Sequence, residues 1–181
     1  ALRVCGEGSF LKAPSVIFGG CPIVSPLRFG RENLEVMMDA TRLGLVSDIA
    51  VAPQSGATAP ATLAGILVQV VAETLACLAV VNLIRPGCAV TFAAWPFVTD
   101  LRTGSFSGGS GEQAVLAASA IQMGNYYKLP NSAGARMTDS KIPDAQYGYE
   151  KGLTIGLAAL SGANRVCEVG GMMGLSLRHI G

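Results

Sequence analysis

The sequence predicts an α/β domain, a partial (β/α)8 TIM barrel of about five consecutive parallel strands and four crossover helices. Three observations lead there. Between Ser15 and Gly171, apolar runs of strand length alternate with longer stretches of helical periodicity, and parallel neighbours need such helical crossovers. Half of the 181 residues are hydrophobic and only 14% are charged. That is well under the usual quarter or so, which suits strands buried on both faces. The glycine-rich phosphate turn of a doubly wound sheet, with an acid about 20 residues further on, is missing after the first strand. Strands in unbroken order with right-handed crossovers make over half of a barrel, whose ligands gather in the loops after the strands.

Each element has a local reason. Ser15–Val24 reads as a bent first strand, interrupted by Gly19, Gly20 and Pro22 and stopped at Ser25-Pro26. Leu34, Met37, Met38 and Leu43 share one face of a helix from about Arg31 to Leu43. Val46–Ala52 is the second strand, closed by Pro53, and Gln54–Pro60 is its loop. Pro60 suits the first turn of the next helix, which runs to about Ile84 and stops at Pro86-Gly87. Cys88–Ala94 is the third strand. Trp95–Gly111 reads as a long loop, and a helix from about Glu112 to Tyr127 stops before Pro130. Asn131–Met137 is a weaker fourth strand, with Thr138–Pro143 as its loop. Pro143 and Asp144 open the last helix, where an acid suits the positive end of the dipole. That helix ends near Gly162-Ala163-Asn164, and Arg165–Val169 is the fifth strand.

Composition excludes several functions. A net charge of +1 without a basic run gives no nucleic-acid surface. The five cysteines are odd in number, widely spaced and form no CxxC pair, so neither a zinc site nor a redox motif is predicted and no metal is called. Reduced thiols in a cytoplasmic protein are the expectation. His179 is the one histidine, which excludes multi-histidine metal sites and argues against a nucleophile–histidine dyad. The apolar stretch Ala59–Ile84 is interrupted by Gln69, Glu73 and Asn82 and lacks the roughly 20 clean apolar residues of a membrane span. Gln69 and Glu73 are four apart on one helix face, so a buried helix with one polar edge is expected. The chain begins with Ala rather than Met and opens with no signal peptide. Both ends look cut. An apolar strand edge left open would favour association of copies into a homo-oligomer.

The strand-end loops hold most of the candidate chemistry. Trp95, Pro96, Phe97 and Asp100 follow the third strand, and Trp95 is the only tryptophan. Aromatic faces beside a carboxylate attract a quaternary ammonium; alternatively Trp95 plugs the top of a barrel. Gly104–Glu112 is glycine-rich but not a P-loop, and reads as a lid or docking loop. Asp139 and Lys141 follow the fourth strand; Lys141 suits a Schiff base, or an ion pair with Asp139 or Asp144. Glu168 ends the fifth strand, where an acid in so apolar a run is either a cation partner or paired with Arg136.

Ser55–Gly65 (SGATAPATLAG), Phe92–Glu112 (FAAWPFVTDLRTGSFSGGSGE) and Thr138–Gly152 (TDSKIPDAQYGYEKG) together resemble the trimethylamine methyltransferase family, over about Pro22 to Met173. The resemblance implies a single domain over 1–181 that is a central fragment of a longer TIM-barrel enzyme. Its members move a methyl group from trimethylamine, or a quaternary amine such as glycine betaine, to the cobalt of a partner corrinoid protein. No cofactor would then be bound directly, cobalamin being carried by the partner. Some members carry pyrrolysine. If that position falls in this segment, the Lys141 loop being a candidate, the chain resembles the members without it, which favours a quaternary amine. The resemblance places Glu168 and Lys141 in catalytic roles. Trp95 and Phe97 become ring faces, Asp139 a negative charge, Arg136 or Lys141 a carboxylate partner, and Glu112 completes the substrate-binding set. The rival readings are a Schiff-base barrel lyase using Lys141 and an incomplete barrel with an assembly role.

Overall fold

The structure is a computed structural model that describes residues 17–167, 172–173 and 177–178. Its elements in chain order are β1 (Ile17–Gly20), β2 (Ile23–Val24), β3 (Arg28–Phe29), α1 (Arg31–Arg42), β4 (Val46–Val51), β5 (Gln54–Ser55), α2 (Leu63–Ile84) and β6 (Val90–Ala94). There follow β7 (Phe97–Asp100), β8 (Ser105–Ser107), α3 (Gly111–Tyr126), β9 (Ser132–Gly134), α4 (Ala145–Leu160), β10 (Arg165–Cys167), β11 (Met172–Met173) and β12 (Leu177–Arg178).

The alternating chain builds a parallel sheet. β1, β4 and β6 pair in that order, and β9 pairs β10, every pair parallel. A single parallel bridge, Phe92 to Asn131, joins the two groups. The five main strands therefore lie in sequence order, with no antiparallel pair among them. Consecutive right-handed crossovers in one direction place the helices on one face. Neighbouring helices pack in chain order, α1 on α2, α2 on α3 and α3 on α4.

The pleat sorts the side chains. Ile49 and Val51 of β4, with Phe92 and Ala94 of β6, pack against Val70, Cys77, Leu78 and Val81 of α2 in the larger core. A smaller core gathers Ile121 of α3, Ala133, Ala135 and Ala158 of α4. Alternate residues, among them Asp48, Ala50 and Thr91, belong to the opposite face of the sheet.

Helix α2 is the one described helix long and apolar enough to cross a membrane. It instead packs against β4, β6, α1 and α3. Its polar edge is as expected. The fully buried Glu73 carboxylate accepts from Ser25 Oγ at 2.7 Å, Leu27 N at 2.8 Å and Gln69 Nε2 at 3.0 Å. Gln69 Nε2 also donates to Thr58 O at 2.8 Å. One helix turn thus ties down the turn after β2 and the loop after β5, and the buried charge has the donors it requires.

Four boundaries differ from expectation. The bent first strand is shorter: Pro22 has no N–H for the ladder, and the chain turns into the antiparallel pair β2–β3. α2 begins at Leu63 rather than Pro60, because the Thr62 side chain caps it by accepting from Gly65 N. The stretch Trp95–Gly111 is not a structureless loop. It folds as β7 and β8, an antiparallel hairpin in which Asp100 O accepts from Gly104 N at 2.7 Å. β9 stops at Gly134, since Arg136 takes a left-handed backbone with φ 77° that breaks the pleat.

Replacing Glu73 with Gln should lower stability by about 1–3 kcal/mol, because an amide N–H then faces a donor already there. Gln69→Ala should cost about 1 kcal/mol. Urea unfolding midpoints of the two variants check the order.

Candidate functional site

The sheet face away from the helices carries a cavity of about 550 Å³, lined by Gly19, Cys21, Asp48, Ala50, Trp95, Arg165 and Cys167 among others. Among the lining residues is Asp48, only 6% exposed in its side chain. Its Oδ2 accepts from Arg165 NH1 at 2.5 Å. Its Oδ1 accepts from Ser132 Oγ at 2.8 Å and from Thr91 Oγ1. The Cys167 thiol lies 3.9 Å from Oδ2. Register explains the convergence. Asp48 is the direct parallel partner of Thr91, and Arg165 of Ser132; the Phe92–Asn131 bridge sets Ser132 beside Ala93, so all four share one face, the second pair one pleat repeat further along.

Trp95 lies just past the end of β6. Its backbone N donates to Val51 O at 2.9 Å, continuing the ladder. The indole Nε1 donates to Ser132 O at 3.2 Å and to Ser132 Oγ at 3.3 Å. The ring lies against Gly134, where an added Cβ would come within 3.0 Å of Cδ2 and Cε3. Only glycine leaves the indole that space.

The other predicted residues are dispersed. Phe97 is buried in β7 and stacks edge to face on Phe106, ring centroids 4.8 Å apart. Asp139 accepts from Ser107 Oγ at 2.6 Å and Gly108 N at 2.8 Å. It therefore ties the loop after β9 to the loop after β8, and it does not pair with Lys141. Asp144 caps α4 instead, accepting from Tyr147 N and Ser140 Oγ. These hydrogen bonds hold the Asp144 carboxyl below its usual range, the Tyr147 backbone contributing most. Lys141 is exposed and has no ion pair among the described residues. Glu112 sits in the first turn of α3 beside a separate depression of about 360 Å³, with Thr99, Arg102 and Ser110. Asp100 there is paired with Arg102, whose guanidinium lowers its carboxyl pKa. Arg136 has a buried Nε without a hydrogen-bond partner among the described residues. Glu168 lies outside the described residues, as does any pairing of it with Arg136.

The glycine-rich segment 104–112 is not a free lid. Besides Asp139, it meets Glu150 of α4, whose carboxylate lies 2.2 Å from where a Cβ on Gly109 would stand. Glu150 in turn accepts from Thr138 Oγ1 at 2.6 Å, Asp139 N at 2.7 Å and Gln146 Nε2 at 2.8 Å. Asp48, Ser132, Arg165 and Glu150 were not among the residues singled out from the sequence. The signal that drew attention to Glu168, an acid inside an apolar strand, is equally present at Asp48 in VSDIAV.

Two cysteines report on these surroundings. Burial pushes the Cys77 thiol up to about 12, with Glu73 adding to it. Burial, then the Asp48 charge, raises that of Cys21. Among the described residues no group of three or more His, Cys, Asp or Glu is placed to hold a metal ion.

A parallel sheet with helices on one face, and a cavity lined by Trp95 on the other, defines an α/β protein, a class whose small-molecule sites lie at strand ends. The sequence model of the family described as Trimethylamine methyltransferase (MTTB) matches residues 2–179, and the chain belongs to that family. It is 33% identical over 168 residues to a protein named Glycine betaine methyltransferase from Desulfitobacterium hafniense strain Y51, covering 93% of this chain and 35% of that protein. It is 34% identical over 150 residues to Trimethylamine methyltransferase MttB from Methanosarcina thermophila, covering 83% of this chain and 31% of that one. The chain thus spans about a third of the length of these relatives.

A raised thiol pKa means less thiolate at a given pH. At about pH 8, iodoacetamide should leave Cys77 unmodified in the folded chain and label Cys21 more slowly than in the unfolded chain. Asp48→Asn should speed labelling of Cys21. Peptide mass mapping reads both. Because the folded Cys77 thiol lies above its ordinary 9.0, its contribution to stability is complete below that pH and is lost as pH rises toward about 12. Cys77→Ala should flatten that loss in alkaline melts.

Proposed function

We propose that the chain is part of a TIM-barrel methyltransferase that takes a methyl group from trimethylamine or a quaternary amine of the glycine betaine kind. The acceptor is the cobalt of a corrinoid carried by a partner protein. Membership of the family supports this reading, as do five parallel strands in sequence order with helices packed side by side, which further strands of a longer chain would close into a barrel.

The observation that carries the site is Trp95, half-buried at the end of β6, its ring seated on Gly134 at the edge of the cavity. A quaternary ammonium has no N–H to donate. It is held by ring faces and charge, and an indole is the best of the ring faces. Arg136 stands two residues beyond Gly134 with Nε unpartnered among the described residues, and serves a substrate carboxylate. Lys141 is exposed, so its part is at the surface where a partner protein docks.

In the transfer, the methyl carbon leaves nitrogen for the partner's cobalt(I), which supplies the bonding pair. The C–N pair stays on nitrogen, and a neutral amine departs when the substrate is a quaternary ammonium or trimethylamine already protonated to trimethylammonium. No proton moves, so no histidine base is required. The chain's task is to orient and desolvate the cation.

In a protein extended to the length of its relatives, methyl transfer to cob(I)alamin would be followed by absorbance. Trp95→Ala should weaken amine binding by about 1–2 kcal/mol. Arg136→Gln should raise KM for glycine betaine and leave that for trimethylamine unchanged. Transfer by Trp95→Ala at wild-type rate and affinity would sink the site assignment.

A further inference from the structure

We infer that Asp48 is a positioning residue that aims the Trp95 ring through Ser132. The inference rests on the reading that Trp95 meets the substrate cation. An ionised carboxylate only accepts, and Ser132 Oγ and Thr91 Oγ1 both meet Asp48 Oδ1. Each hydroxyl must therefore turn its hydrogen toward Asp48. The lone pairs of Ser132 Oγ are then free, and one of them accepts from Trp95 Nε1 at 3.3 Å, beside the Ser132 carbonyl at 3.2 Å. The indole N–H is shared by two oxygens of one residue. Were the Ser132 hydroxyl turned the other way, its hydrogen would face the indole hydrogen and the three-centre bond would fail.

The far side of the ring is set by Gly134. With its N–H edge held at Ser132 and its face on Gly134, the indole has one tilt. Arg165 completes the arrangement by holding the other Asp48 oxygen at 2.5 Å, so the carboxylate cannot swing away from Ser132. Cation–π attraction depends on presenting a ring face, so a chain of hydrogen bonds that begins below the cavity determines what the cation meets at its edge.

Trp95 is the only tryptophan in the chain, so its indole can be read alone. Hydrogen exchange of the indole N–H in a nitrogen-15-labelled chain and the near-ultraviolet circular dichroism of the ring report its position. Quenching of its fluorescence by tetramethylammonium reports binding. Ser132→Ala and Asp48→Asn should each speed indole exchange by about tenfold and weaken tetramethylammonium binding about threefold to fivefold. In a Trp95→Phe background, which keeps a ring without an N–H, Ser132→Ala should change binding no further. Unchanged indole exchange and dichroism in Ser132→Ala, or an equal loss of binding in the Trp95→Phe background, overturns the inference. Should either variant not fold, wild-type exchange as fast as in the unfolded chain overturns it alone. If exchange responds as expected while no form of the chain binds tetramethylammonium, the positioning stands and the amine reading falls.

Discussion

The structure turns on one buried carboxylate. Asp48 links four strands laterally: its own β4, and through Thr91, Ser132 and Arg165 also β6, β9 and β10. A charge with 6% of its side chain exposed carries a desolvation cost of several kcal/mol. Two hydroxyls and a guanidinium offset that cost. They can converge only if the parallel register is correct, because a slip by one residue would turn Asp48 into the apolar helix layer. The interaction therefore selects the register more than it adds to stability.

Beside those polar groups the sheet face changes character. Ala50 is the partner of Ala93, and Gly134 of Cys167. These small side chains leave the volume of the cavity that Trp95 lines, beside the polar groups gathered on Asp48. On the function proposed above, that space would take a methylated cation. A methylated cation is bulky, apolar on its surface and charged, which calls for room, a ring and few hydrogen bonds.

The order and direction of the five main strands were legible in the sequence, because apolar runs such as VSDIAV and VTFAA are separated by helices with clear stops. The β7–β8 hairpin was not. Its strands are short, and its Gly104, Gly108 and Gly109 read as freedom when two of the three are sites of close packing against Met137 and Glu150. Trp95 was identifiable by its rarity and its place after a strand. Asp48 was passed over because a lone acid in a strand declares nothing about partners that are 43, 84 and 117 residues away. Asp139 drew attention through its loop, and its bonds to Ser107 and Gly108 make it a tie between loops.

The main-chain seam between β6 and β9 is thin. One bridge at Phe92 and Asn131, with the Phe92 N to Pro130 O bond of 2.7 Å, is the backbone pairing there. The two hydrophobic clusters divide along the same line, one on the β1, β4 and β6 side and the other on the β9 and β10 side. Such a division makes two cooperative units whose separation costs less than complete unfolding. Ser132 and Arg165 reach Asp48 across this line, so the same carboxylate that sets the register also couples the two units. Loosening it would let β9, β10 and α4 breathe as a block, carrying Ser132 and Gly134 away from the indole, so the sharpness of the binding edge is a measure of how cooperatively the two halves stay closed.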